Sequence, residues 1–125
     1  FIYKFVCKIW KQCRKKEFNS NIKELKETFN FPNKIDDYLY WNDLYVNDKG
    51  ILIYEYQIVK NLSQQQIEAF KKHTNNNVPK SLCTDASVYD IIMLKHQKEI
   101  NVNYRYEGKN LISIKLNKDI CKKYR

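Results

Sequence analysis

The chain of 125 residues contains only two glycines and two prolines. Gly50 and Gly108 stand far apart, so no glycine-rich loop is available to cradle a phosphate, and Pro32 and Pro79 make no proline-rich linker. Nucleotide-binding motifs are thereby excluded. The four cysteines, Cys7, Cys13, Cys83 and Cys121, include no Cys-x-x-Cys pair, and His73 and His96 lie apart in sequence. Zinc-ligand spacing is missing, and we expect no metal and no other cofactor. Low hydrophobicity, the mark of disorder, is also absent. An apolar fraction of 43% with 14% aromatics belongs to a chain that folds. At this length the expectation is one domain with a modest core.

What is present in excess is positive charge, a formal +9, and its placement decides its meaning. Residues 1–16 carry Lys4, Lys8, Lys11, Arg14, Lys15 and Lys16 with no acid. Residues 118–125 carry Lys118, Lys122, Lys123 and Arg125 against Asp119, while residues 17–117 balance to zero. A nucleic-acid domain normally shows a basic face on its folded body. Basic ends on a neutral body suit a juxtamembrane or tail role equally well, and simple solubility accounts for many lysines.

In the first 16 residues Ile2, Val6, Ile9 and Cys13 fall at helical spacing, with Phe1, Phe5 and Trp10 beside them and Lys4, Lys8, Lys11 and Lys15 opposite. We expect residues 1–18 to form a basic amphipathic helical extension and residues 19–125 a single α+β domain. The extension is too short and too lysine-rich to cross a bilayer. Its expected role is to lie on an anionic membrane surface with Trp10 at headgroup depth, to meet a protein partner, or to pair with a second copy of the chain. The alternative is a plain first helix packed on the domain. The chain starts at Phe1 without Met, from which an upstream segment such as an anchor is expected.

Capping residues at 19–21 and apolar Ile22, Leu25 and Phe29 predict a helix over about 20–30, followed by a connector at 32–37. Residues 38–46 and 50–60 read as strands joined by the turn-forming Asn47 to Gly50, a hairpin. The second of these, with Leu52, Tyr54, Tyr56 and Ile58 on one side, has the strongest strand pattern and is expected to be central. Ser63 with Gln66 three residues on has capping-box spacing for a helix that Asn75–Asn77 and Pro79 are expected to interrupt. A further helix over 86–95 is expected to bury Val88, Ile91, Ile92 and Leu94. Residues 99–106 and 111–116 read as a second hairpin around Gly108, and a short basic tail follows. The predicted fold is thus α+β, a four-stranded antiparallel sheet of two hairpins with an N-terminal helix and a two-helix middle segment.

Candidate chemistry is thin. A Cys nucleophile with a His base is formally available in Cys83 or Cys121 with His96 or His73, but no spacing supports it, and we expect no enzyme and no catalytic residue. Asp36, Asp37, Asp43 and Asp85 look like cap or turn residues, and Glu55 is expected to face solvent or pair with Arg105 across strands. Tyr54, Tyr56, Tyr104 and Tyr106 could form an aromatic surface that stacks single-stranded nucleic acid, the second functional reading. The plainer alternative is half-buried core tyrosines with wet hydroxyls. Cys7 and Cys13, six apart on a helix, are about 9 Å apart and cannot bond each other.

Several pieces together resemble a group of small, uncharacterised bacterial exported or membrane-anchored α+β proteins with Tyr-x-Tyr strands and two paired cysteines. They are Pro32–Asp36 (PNKID), Tyr54 and Tyr56, Cys83, Tyr104 and Tyr106, and Asp119–Cys121 (DIC), spanning residues 32–121. The turn KHQKEI departs from the group's pattern in lacking a glycine. The resemblance implies an exported domain without established chemistry and a disulfide between Cys83 and Cys121, which needs an oxidising compartment. Two buried free thiols are the alternative. The expected function is a non-enzymatic exported or membrane-associated interaction domain, periplasmic or extracellular, with nucleic-acid binding ranked behind it. Positive-inside logic would place the basic run in the cytoplasm, and the sulfur reading takes precedence over it.

Overall fold

The computed structural model describes residues 18, 20, 22–28 and 30–125. Residues 22–28 are helical. They lead to β1 (Asn33–Lys34), β2 (Leu39–Val46), β3 (Leu52–Ile58), a long helix (Gln64–Thr84), a π-helical segment (Ser87–Lys95), β4 (Ile100–Tyr106), β5 (Lys109–Leu116), a one-turn helix (Lys118–Cys121) and a 3-10 turn (Lys122–Tyr124). The strands form one sheet in the order β1-β2-β3-β4-β5, with β3 in the middle.

The α+β class agrees with the sequence reading, but the sheet is mixed and five-stranded, not antiparallel and four-stranded. Both hairpins form, β2 with β3 and β4 with β5, each antiparallel. They join through β3 and β4, which run parallel with Leu52 opposite Ile100 and Ile58 opposite Tyr106. A parallel pair needs a long crossover, and the two helices between the hairpins supply it. The fifth strand is the two-residue β1, in the stretch expected to be a connector. The Asp36 carboxylate folds it back by accepting the N–H groups of Tyr38 (3.0 Å) and Leu39 (2.9 Å).

The capping box forms as its spacing requires. Gln66 N–H donates to Ser63 Oγ at 3.2 Å, and Ser63 N–H donates to Gln66 Oε1 at 2.8 Å. The helix it starts does not break at Asn75–Asn77 but continues through Pro79 to Thr84. A helix-interior proline costs about 3 kcal/mol. Here Thr74, Pro79 and Cys83 are all buried, so tertiary packing outweighs propensity. Asn77 also turns its side-chain amide to the His73 carbonyl at 2.8 Å.

The segment after Asp85 winds with a wider turn, His96 N–H reaching back five residues to the Ile91 carbonyl at 3.0 Å. Wider winding shifts the buried phase. Val88 and Met93, five apart, point inward, whereas Ile91 and Leu94, expected in the core from α-helical spacing, are 48% and 44% exposed.

The core lies on one side of the sheet. Leu44, Leu52, Ile100, Val102, Tyr104, Ile112, Ile114 and Leu116 form its floor, and Phe18, Ile22, Cys83, Val88, Met93 and Cys121 close it from above. A bulge between Trp41 and Asp43 keeps β2 in phase. The extra residue allows Trp41 and, three positions on, Leu44 both to reach the core side.

Candidate functional site

The sulfur pair is the firmest local chemistry in the molecule. Cys83, at the end of the long helix, and Cys121, in the one-turn helix after β5, are joined by a disulfide with Cα atoms 5.1 Å apart. Both residues are fully buried. Asn117 caps the final helix, accepting Ile120 N–H at 2.8 Å, and so aims Cys121 inward. Met93 fills the space beside the bridge, its sulfur 3.5 Å from Cys121 Sγ. Arg125 closes the same end: its guanidinium donates to the Cys83 carbonyl at 2.9 Å, lies 4.0 Å from the Tyr89 ring, and approaches Asp90 at 4.0 Å. Nothing in the sequence marked Met93 or Arg125, because their partners are many residues away.

The tyrosines expected as an aromatic surface lie on the core side of the sheet. Trp41 stacks on Tyr54 (5.8 Å) and Tyr56 (6.0 Å), Tyr56 stacks on Tyr104 (4.9 Å), and Phe31 and Phe70 meet Trp41 and Tyr104 edge-on. Ring faces are occupied by neighbouring rings, and Tyr104 is only 6% exposed. A base needs a free ring face to stack upon, and this row offers its faces inward. The core alternative describes Tyr54, Tyr56 and Tyr104. Burial pushes the phenols of Tyr54 and Tyr56 up from 10.0 to about 12, with the neighbouring Tyr56 and Asp85 adding to the effect on Tyr54. Burial raises Tyr104 further still, helped by Tyr56. Tyr106 is placed differently, its hydroxyl accepting the Leu62 N–H at 2.9 Å ahead of the long helix.

The remaining candidates are held in local contacts. Parallel pairing sets Glu55 opposite Asn103 and Gln57 opposite Arg105, so the expected Glu55–Arg105 pair does not form. Glu55 accepts the Tyr45 hydroxyl at 3.0 Å, and Arg105 donates to the Gly108 carbonyl at 2.8 Å. Burial, then this bond to Glu55, raises the Tyr45 phenol. His73 Nδ1 lies 3.0 Å from the Asn77 amide, and His96 packs on Phe18 at 4.9 Å. Cys83 and Cys121, being joined, offer no thiolate. Among the described residues no cluster of His, Cys, Asp and Glu has the makings of a metal site, and no helix is long and apolar enough to cross a membrane. The basic set Lys4, Lys8, Lys11, Arg14, Lys15 and Lys16, with Trp10, and the cysteines Cys7 and Cys13 lie outside the described residues.

A second feature was not legible beforehand. Between the helix at 22–28 and the outer edge of β2 lies a cavity of about 630 Å³, lined by Ile22, Phe31, Leu44 and Val46 with Lys23 and Asn47 among the polar residues around it. Asp43 guards this edge, accepting Leu44 N–H at 2.8 Å and Lys26 Nζ at 2.8 Å.

No family model and no curated protein matches the chain. Among solved structures, the crystal structure of a Pseudomonas aeruginosa protein inferred to be secreted is similar, with a TM-score of 0.64 at 10% identity, covering 87% of this chain and 96% of that one. At such low identity the likeness concerns the fold. The chain thus shares its overall α+β fold with that protein.

Proposed function

We propose that this chain is a non-enzymatic exported interaction domain, periplasmic or extracellular, held against a membrane surface or protein partner by its basic N-terminal segment. The observation that carries the reading is the fully buried Cys83–Cys121 bridge, since bonds of this kind form and persist in oxidising compartments. The shared fold with a protein inferred to be secreted supports the same compartment. The clasp takes both described cysteines out of nucleophilic chemistry, and both histidines are in contacts unrelated to them. That favours binding over catalysis.

The test is fractionation of cells expressing the chain with its native upstream sequence. Recovery outside the cytoplasmic membrane, with a membrane-bound share that is lost when Lys4, Lys8 and Lys11 are changed to Glu, supports the reading. Recovery in the cytosol contradicts it.

A further inference from the structure

The segments around the disulfide are held with very unequal firmness. Cys83 belongs to a 21-residue helix, and Met93 to a nine-residue π-helical segment in which its own side chain is 1% exposed. Cys121 is followed instead by the three-residue 3-10 turn Lys122–Tyr124, in which both lysines are exposed and Tyr124 is half-buried against the cluster that contains the two sulfurs. The bond closing this turn, from Arg125 N–H to the Lys122 carbonyl, is long at 3.3 Å. The ion pair of Lys122 with Asp119, 3.4 Å across, is exposed on both sides and adds little. Besides Tyr124, what ties the turn to the rest of the molecule is the Arg125 side chain. Its guanidinium bonds the Cys83 carbonyl at 2.9 Å, lies over the Tyr89 ring and approaches Asp90, so it joins the turn to both crossover helices at once.

A segment with few buried contacts and exposed hydrogen bonds opens at a lower free energy than the whole fold. From this contrast we infer that residues 122–125 are a latch over the disulfide, with Arg125 as its catch. A thiol reaches the sulfurs when this turn swings away, while the sheet and the crossover helices stay folded. With the latch closed both cysteines are fully buried, and thiol exchange requires access to a sulfur. With it open, one thiolate of an external dithiol attacks one Sγ, the S–S bond breaks, and the other cysteine leaves as a thiolate. The second thiolate of the dithiol then displaces the first cysteine. The dithiol departs as its cyclic disulfide, and its two electrons end on Cys83 and Cys121, whose thiolates take protons from water. Arg125 thus sets how fast the clasp exchanges with thiols, separately from how stable the fold is, and it does so in whichever compartment the chain resides.

The test is the rate at which dithiothreitol reduces the intact disulfide-bonded chain, read by acid quenching, alkylation and weighing of the peptides that carry Cys83 and Cys121. Below the unfolding transition, the logarithm of this rate should rise with urea far less steeply than the logarithm of the global unfolding constant. Arg125→Ala should speed reduction about fivefold without urea, since a hydrogen bond and a ring contact no longer favour the closed turn. Ile53→Ala is the control, a buried position on β3 outside the cluster around the sulfurs. It should lower the urea midpoint at least as much as Arg125→Ala yet change the reduction rate by less than about twofold. A rate that climbs with the full slope of global unfolding overturns the proposal. So does an Arg125→Ala rate equal to that of the unaltered chain, or an Ile53→Ala rate raised as far as that of Arg125→Ala.

Discussion

The two ends of the sheet are finished in opposite ways. At the β4–β5 side, the long helix, the π-helical segment and the final turns meet over the strands, and a covalent bond, a methionine and an arginine lock them together. At the β2 side, the sheet ends in a two-residue strand, a short helix and a groove with three open backbone groups at Leu44 and Val46. The first end holds the C-terminal turns in place, and the second leaves hydrogen-bonding capacity on offer. The covalent and buried contacts are thus concentrated at one flank, and substitutions at the two flanks should be felt in different measure.

The largest effect belongs to the clasp. Replacing Cys83 and Cys121 by Ser opens a loop with a sequence separation of 38 and should lower stability by about 4 kcal/mol in urea titrations. A loss comparable to that of a surface substitution would show that the β4–β5 flank does not depend on it. Met93→Ala removes the buried neighbour of the bridge and should cost about 3 kcal/mol, with the disulfide still formed by mass.

Alkali should act on the aromatic row next. Tyr54 and Tyr56 stay protonated to about 12 in the folded chain but ionise near 10.0 when it opens. The unfolded state therefore loses its protons first, so stability is complete below pH 10 and declines as pH rises from 10 toward 12. Urea midpoints at pH 8, 10 and 11.5 check this, and phenolate absorbance from these residues should appear together with unfolding. Arg125→Ala removes the bond to the Cys83 carbonyl and the contact with Tyr89, a loss of about 1 kcal/mol. At the open flank Lys26→Ala, which breaks a half-exposed ion pair, should change stability by about 0.5 kcal/mol or less. A change as large as that of Met93→Ala would erase the contrast between the flanks.

Local signals in the sequence carried the hairpins, because Asn47 to Gly50 and Gly108 provide turns between alternating strands. The Glu107–Gly108 turn has φ of 51° and 77°, the conformation a tight two-residue hairpin needs. The Ser63–Gln66 capping box was equally legible. The disulfide was legible only through the resemblance. How the hairpins join was not, since the same alternation serves a parallel or an antiparallel neighbour, and only the crossover fixes which. Met93 was missed because five-residue winding cannot be told from α-helical winding by composition. The β2 groove was missed for a different reason: its bulge at Asn42 and its open Val46 groups are properties of pairing, not of residue type.

The central claim is that the sulfurs of the two late cysteines are bonded in the cell. It is tested most directly by blocking free thiols in intact cells, digesting the chain without reduction and weighing the fragments. The account predicts one cross-linked fragment containing Cys83 and Cys121, split by reductant. Recovery of both cysteines in separate, thiol-blocked peptides would contradict it.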